Sequence, residues 1–418
     1  MTDNRIPLWL DCDPGHDASS VSRVDVAGWV VEAVLHRQQA NSSKASSLIE
    51  RIQDAFAILL AAYHPGIRLL GISTVFGNAS LEKTTWNATS LLTAIGKQDE
   101  IPVYVGSPKP IVRPGMHAPT DIHGESGLDG TDLLPRPLTP AIRDVSAVDS
   151  IAKALKAEPA GTAWLVATGS MTNVAMLFAA HPDLVGHIKG LSIMGGAIGG
   201  GFTTAVYGVV DNVARIGNWT QFAEFNIFVD PEAAASIFDD KALAAKTTLI
   251  PLDLTHLVLA RKDIQELMLY GENGVKTEDG KGKTTLRTML VELLTFFATT
   301  YKDVFGIIEG PPLHDPLAVA AVLTGTEWEI PFYDYDVQGA ELAPVQKRER
   351  FAVKVVTEGT TEEAFAGAET GRTIATPLPE GEEGVRIPRG LDIPMFWKVL
   401  EECVQRADEV NARKEPSG

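Results

Sequence analysis

Short apolar stretches that end at a polar residue beside glycine recur along this chain, separated by helix-forming segments, and that alternation admits few folds. Residues 6–10 run into Asp11-Cys12-Asp13-Pro14-Gly15, 67–75 into Phe76-Gly77-Asn78, 163–167 into Thr168-Gly169, and 190–194 into Gly195-Gly196. A run that is apolar throughout belongs to a strand covered on both faces, and strands separated by helices pair in parallel. The expectation is an α/β fold: one large domain with a mostly parallel central sheet flanked by helices, an open sheet of Rossmann-like kind. Asp13, Asn78 and Thr168 each fall just past the C-terminal end of such a strand, the edge where open parallel sheets place their ligands. Three polar marks on one edge imply one site, although Asn and Thr beside Gly are also ordinary turn residues.

The first of these strand ends is crowded with acid, because Asp11, Asp13 and Asp17 share one short turn. Like charges within a few ångströms raise one another's pKa, so the group needs a shared proton or a hard metal ion, unless Asp and Gly serve only turn geometry. A second polar pair, His314-Asp315, precedes a helix expected over 317–323. There Asp315 is either functional or a cap, and His314 either catalytic or structural. Asp54 is expected to cap a helix over 54–64, and Asp230, followed by Pro231, to cap another in a purely structural role. Glu224 and Asn226 alternate with apolar neighbours, which at strand spacing points them the same way. Other helices are expected over 81–95, 148–156 and 286–301, and strands over 103–105 and 247–252. A Gly-rich loop over 197–217 lies across the ligand edge. The remainder, through a strand over 351–356 and a terminal helix over 394–412, reads as sheet completion.

Composition narrows the function. With 54 Asp and Glu against 36 Lys and Arg, the formal charge is -18, which argues against a nucleic-acid partner. No stretch reaches the roughly 18 to 20 uninterrupted apolar residues of a membrane span, and the N-terminal residues do not resemble a secretory signal, so a cytoplasmic location is expected. Cys12 and Cys403 are too few for a disulfide framework or a cysteine zinc site. Gly195 to Gly201 lacks the spacing of a dinucleotide fingerprint or a P-loop.

These motifs resemble the inosine-uridine preferring nucleoside hydrolase family. Asp11-Cys12-Asp13-Pro14-Gly15-His16-Asp17, joined to Asp54-Ala55-Phe56-Ala57, looks like its hallmark acidic motif ending in two adjacent aspartates. Thr74-Val75-Phe76-Gly77-Asn78, His123-Gly124, Ala167-Thr168-Gly169, Met194-Gly195-Gly196, Gly217-Asn218, Ala223-Glu224-Phe225-Asn226, Asp230-Pro231-Glu232 and His314-Asp315-Pro316 follow in the family's order. The long loop between Gly196 and Gly217 resembles that of fungal members.

The resemblance implies hydrolysis of a ribonucleoside's N-glycosidic bond to free base and ribose, a bound Ca2+, a place in purine or pyrimidine salvage, and a homodimer or homotetramer. Asp13, Asp54 and Asp315 match the metal-binding carboxylates, and Thr168 matches the position that lends a carbonyl oxygen. Asp13 also matches the general base, and His314 is the candidate acid. Asp17, Asn78, Asn218, Glu224 and Asn226 match ribose-gripping positions, with Met194 among the substrate-binding residues and His123, Phe297 and Tyr301 flanking the base. Ca2+ takes carboxylate, carbonyl, water and sugar oxygens together, so one ion can hold water and ribose side by side.

One departure interrupts that site: 36 residues, 18–53, separate Asp17 from Asp54, which are adjacent in the family's pattern. The segment is rich in Ser and Gln and is expected to be poorly ordered. Its removal restores the motif, Gln53 can be encoded CAG and Ala18-Ser19 GCAAGT, so it reads as a translated intron. Ser47 to Glu50 could also form a capping box that starts the helix early and buries Asp54 two turns inside it. Two other readings follow: an inactive or ligand-binding relative whose metal site the insertion disrupts, and a haloacid-dehalogenase-like phosphatase built on Asp11-Cys12-Asp13. The phosphatase reading explains none of the later motifs.

Overall fold

A computed structural model describes residues 3–15, 53–115, 131–210, 213–296, 298–334 and 349–414. Asp17, His123 and Phe297 lie outside the described residues, as does the inserted segment except for Gln53. Six strands form the central sheet: β1 (Ile6–Cys12), β2 (Ile67–Thr74), β3 (Val103–Val105), β4 (Trp164–Ala167), β5 (Gly190–Met194) and β6 (Thr247–Ile250). Their order is β3-β2-β1-β4-β5-β6, and every pairing is parallel. The chain winds outward from β1 in one direction, then returns to β4 and winds the other way. The crevice between the ends of β1 and β4 is therefore the topological switch point, where such sheets bind ligands.

The helices are α1 (Asp54–Tyr63), α2 (Leu81–Ala94), α3 (Ala147–Ala157), α4 (Thr172–Ala180), α5 (Phe225–Val229), α6 (Pro231–Asp239), α7 (Leu252–Thr255), α8 (Lys262–Tyr270), α9 (Thr285–Thr295), α10 (Ala298–Phe305), α11 (Asp315–Ala320) and α12 (Ile393–Lys414), with shorter turns between some of them. Strand periodicity divides β1 between two cores. Leu8, Leu10 and Cys12 pack with α1, α11 and α12, while Trp9 packs on the opposite face with α3, α4 and α6. Helix α1 is buried all round, which accounts for a sequence of Ala, Leu, Ile and Phe with no polar stripe.

Four expectations change. Strand β6 stops at Ile250 because Pro251 offers no N–H to a ladder, and the short helix α7 begins there. The helix expected over 286–301 is two helices, α9 and α10. The loop over 197–217 carries a two-stranded ribbon, Val209–Val210 against Val213–Ala214. The C-terminal strand does not complete the sheet. It is β7 (Phe351–Val355), paired antiparallel with β8 (Thr373–Pro377), and its alternating burial is that of a sheet with one solvated face. No described helix is long and apolar enough to cross a membrane.

Helix α12 is tied to the body by a fully buried guanidinium. Arg287 on α9 donates to Asp408 at 2.6 Å, to Glu401 at 2.9 Å and to the Met268 carbonyl at 2.8 Å. Removing one member of a buried ion group strands its partners' charge, so Arg287→Ala should cost about 3 to 5 kcal/mol in urea unfolding. Arg413→Ala, whose partner Glu409 is exposed, should cost less than about 1 kcal/mol. Equal effects of the two would show that Arg287 does not anchor α12.

Candidate active site

Asp11 belongs to the end of β1 and faces the Trp9 core. Its Oδ1 accepts from Asn173 Nδ2 at 2.8 Å and from Ser73 Oγ, the hydroxyl that also receives Trp9 Nε1 at 3.0 Å. Asn173, on α4, donates to the Thr74 carbonyl at 3.1 Å and accepts from Ser107 N at 2.9 Å. It thus fastens β1, β2 and the segment after β3 beneath the crevice, a role nothing in its local sequence announced.

Asp13 lies just past the strand and is fully buried. Asn78 meets it twice, N–H to Oδ2 at 2.9 Å and Nδ2 to Oδ1 at 3.1 Å. Gly77 and Gly169 press against the same carboxyl: a Cβ on Gly77 would stand 1.9 Å from Asp13 Oδ2, and one on Gly169 2.8 Å from its Cγ. Those contacts explain why two of the strand ends carry glycine beside their polar residue. Thr168, at the end of β4, donates its hydroxyl to Asp54 Oδ1 at 2.8 Å, and its N–H reaches the Asp11 carbonyl at 2.9 Å.

Asp54 is the first residue of α1, so it stands at the helix tip and not two turns inside. It is not the cap expected of it: Gln53 takes the cap position, and the Asp54 carboxylate is engaged with the Thr168 hydroxyl. Asp315 likewise opens α11 without capping it. Burial is the main cause holding these carboxyls protonated. It raises Asp54 to about 7 despite the Thr168 bond, and Asp13 well above the usual range, with the Asp54 charge adding to the effect. Asp315 is raised well above its ordinary value by burial and then by the charges of Asp54, Asp13 and Glu224. Asp11 is raised to about 7 by burial.

Among the described residues no Lys or Arg is bonded to any of these acids, and Asp54 Oδ2 and Asp315 Oδ2 are buried without a hydrogen-bond partner. As arranged here, no three Asp, Glu, His or Cys side chains among the described residues stand close enough to enclose an ion. The donor set nevertheless suits a hard cation: mutually repelling carboxylates, orphaned oxygens and a carbonyl beside them.

The expected strand through Glu224 and Asn226 is instead the start of α5. Glu224 is the cap, accepting from Asn226 N at 2.8 Å, Ile227 N at 3.1 Å and Gly196 N at 2.7 Å. A helix start leaves N–H groups free, and this carboxylate collects them together with one from the glycine turn after β5. Asn226 donates to the Thr168 carbonyl at 3.1 Å and to the Met194 carbonyl at 3.3 Å, which joins the ends of β4 and β5. Asn218 Oδ1 receives Phe225 N at 3.0 Å. Asn226 Oδ1 and Asn218 Nδ2 are buried and have no partner among the described residues. Asp230 caps α6 as expected, through Ala233 N at 3.1 Å.

His314 is buried and held on three sides. Its Nε2 meets the Tyr301 hydroxyl at 2.8 Å, its Nδ1 meets Thr255 Oγ1, and its N–H meets Gln53 Oε1. Gln53 Nε2 also donates to the Pro312 carbonyl at 3.1 Å, so the start of α1 and the 312–314 turn are clipped together. Burial, and next the nearby His256, hold the His314 pKa well below the usual histidine value, so the imidazole is neutral. Thr255 and Gln53 were not singled out in the sequence, where neither carries a motif. Tyr301 joins this group, while Asp17, His123 and Phe297 lie outside the described residues.

The family model described as inosine-uridine preferring nucleoside hydrolase matches residues 50–398, beginning just before Asp54 and beyond the first acidic turn. The uridine nucleosidase of Saccharomyces cerevisiae is 36% identical over 414 residues, covering 98% of this chain and 99% of that protein. The pyrimidine-specific ribonucleoside hydrolase RihA of Salmonella arizonae is 34% identical over 319 residues, 76% of this chain and 79% of its own. Among solved structures, a purine-preferring ribonucleoside hydrolase from Gardnerella vaginalis shares the fold with a TM-score of 0.65, at 23% identity, over 96% of this chain and 99% of that one.

The raised carboxyls set a pH dependence. Asp11 and Asp54 stay protonated to about pH 7 when folded, but only to about 3.8 when unfolded. Between those values the folded chain binds more protons, so their stabilising contribution is complete below the unfolded value and is lost as pH rises through the folded one. In chelator, the thermal midpoint should fall from about pH 5 to about pH 7.5, and a divalent cation should flatten the slope. A midpoint that rises with pH in chelator contradicts the burial assigned to these acids.

Proposed function

The chain belongs to the inosine-uridine preferring nucleoside hydrolase family and is a ribonucleoside hydrolase, and from that premise we propose how its own residues carry the reaction. The observation that carries the proposal is the burial of Asp13, Asp54 and Asp315 at the switch point, each carboxyl raised and, among the described residues, none bonded to a Lys or Arg, with the neutral His314–Tyr301 pair joined to the start of α1 through Gln53.

The family is generally metal-dependent. We assign Ca2+ to this chain, held by Asp13, Asp54, Asp315 and the Thr168 carbonyl. The ion would offset the burial and like charge that now protonate these carboxyls and would make a bound water more acidic. Asp13 as a carboxylate takes a proton from the attacking water while Asn78 keeps its side chain fixed by two donors. Asp17, Asn78, Asn218, Glu224 and Asn226 are assigned to the ribose hydroxyls, and the unpartnered amide atoms of Asn218 and Asn226 supply a donor and an acceptor for them.

The glycosidic bond breaks with its electron pair leaving on the base, as the anomeric carbon becomes oxocarbenium-like. A neutral imidazole meets that charge as a hydrogen-bond donor, together with the Tyr301 hydroxyl bonded to it. The water oxygen bonds the anomeric carbon as its proton passes to Asp13; the departing base takes a proton from the Tyr301 hydroxyl, Tyr301 regains one from solvent as Asp13 releases its own, and free base and ribose leave. Likeness to the uridine nucleosidase of yeast and the pyrimidine-specific hydrolase of Salmonella favours a pyrimidine ribonucleoside, uridine first.

The insertion supports a second reading, that residues 18–53 silence the site and are removed from the working protein as an intron. One experiment addresses both: base release from uridine and inosine by proteins with and without 18–53, with Ca2+ titrated. Activity of either form should need the ion, and Asp13→Ala should lower it by about 10² to 10⁴-fold. Failure of both forms, with Asp13→Ala unchanged, refutes the catalytic assignment. A transcript population that retains the segment refutes the intron.

A further inference from the structure

Both ring nitrogens of His314 are bonded inside the protein, and one of those bonds bears on where its ring proton resides. Thr255 is fully buried at the end of α7, the short helix that Pro251 starts by ending β6. Its N–H is used within that turn, on the Pro251 carbonyl at 3.1 Å. Its hydroxyl meets His314 Nδ1 and, among the described residues, makes no second hydrogen bond. A hydroxyl has one hydrogen to give. If Nδ1 carried the ring proton, the Thr255 hydrogen would be buried without an acceptor, at the cost of an unmade bond. The economical arrangement has Thr255 donating to a bare Nδ1, which leaves the ring proton on Nε2, facing Tyr301 at 2.8 Å.

The neighbouring residue fixes the ring's plane. His256 directs Nδ1 at the Val206 carbonyl, 2.8 Å away, and stands edge-on to His314 with centroids 5.6 Å apart. Tyr301 packs on the other ring at 6.1 Å. The turn after β6 therefore meets a histidine 59 positions away in the chain at a ring nitrogen, through Thr255, and at the ring itself, through His256.

We propose that Thr255 is a positioning residue for leaving-group departure, holding His314 in the Nε2–H tautomer so that its proton lies on the Tyr301 side. This rests on the leaving-group role given to His314 above, and the tests separate the two.

The direct test needs no turnover. In protein with ¹⁵N-labelled histidine, the His314 ring resonances, identified by their loss in His314→Gln, should report Nε2–H in the wild type. Thr255→Val, which keeps the shape and removes the hydroxyl, should move them towards Nδ1–H, and Thr255→Ser should restore them. A wild-type Nδ1–H ring, or an unchanged ring in Thr255→Val, overturns the proposal.

The kinetic test compares uridine with 4-nitrophenyl riboside, whose leaving group departs without needing a proton. Thr255→Val should lose about 10²-fold in kcat on uridine with little change in KM, and stay within a few-fold of wild type on the nitrophenyl substrate. Thr255→Ser should recover the uridine rate. Equal losses on both substrates, or none on either, overturn the role of Thr255. His314→Gln carries the control. If it keeps the wild-type ratio of the two activities, the leaving-group role of His314 falls and that of Thr255 with it. A selective His314→Gln beside a non-selective Thr255→Val refutes Thr255 alone.

Discussion

Burial of unpaired carboxyls governs this molecule's centre. Asp13, Asp54 and Asp315 come from the turn after β1, the start of α1 and the start of α11; burial makes each harder to ionise, and the Asp54 charge adds to the effect on Asp13 and Asp315. Such an arrangement opposes folding unless donors or a cation offset it. The scaffold supplies the donors: two from Asn78 to Asp13, and the Thr168 hydroxyl to Asp54. Gly77 and Gly169 let the neighbouring backbones come that close. Local rules of polarity are broken here, and a fold tolerates that where a ligand repays it.

Around the acids lies a layer of hydrogen bonds that holds the crevice together. Asn173 fixes Asp11 and two strand ends, Glu224 gathers the amides of α5 and of Gly196, and Thr255 bonds His314. Each joins segments distant in sequence, so the crevice is positioned by the whole sheet and not by any one loop. Gln53 matters most for the history of the chain. It is the last residue of the inserted segment, and its amide both accepts from His314 N and donates to Pro312. Were residues 18–53 removed, Asp17 would stand beside Asp54. An aspartate there could accept from the His314 N–H but could give nothing to the Pro312 carbonyl. A chain without residues 18–53 would thus differ at the clip itself as well as in length.

Strand ends were the legible part. Apolar runs of five to nine residues closed by Asp, Asn or Thr beside Gly marked β1, β2 and β4 and, through them, Asp13, Asn78 and Thr168. Pro231 after Asp230 marked a cap, and a cap is what Asp230 is. Residues 223–226 misled because four alternating positions suit a strand as well as the first turn of a helix. The free amides of α5 and of Gly196 settled the matter, and Gly196 lies 28 positions away. Asp54 misled in a related way: it sits at a helix start yet makes no cap bond, because it is drawn to Thr168, and Asp315, for which a cap and a functional role were both open, makes no cap bond either.

What the sequence determined by itself was a parallel α/β sheet, an acidic ligand edge and a family, since periodicity and motif order are properties of neighbouring residues. Tertiary structure alone decided which of those acids oppose one another, which are spent on backbone amides, and that Thr255 and Gln53 hold His314. The reason is physical: burial and hydrogen bonding depend on distance in space, and the partners here lie 28, 59, 114 and 261 positions apart along the chain.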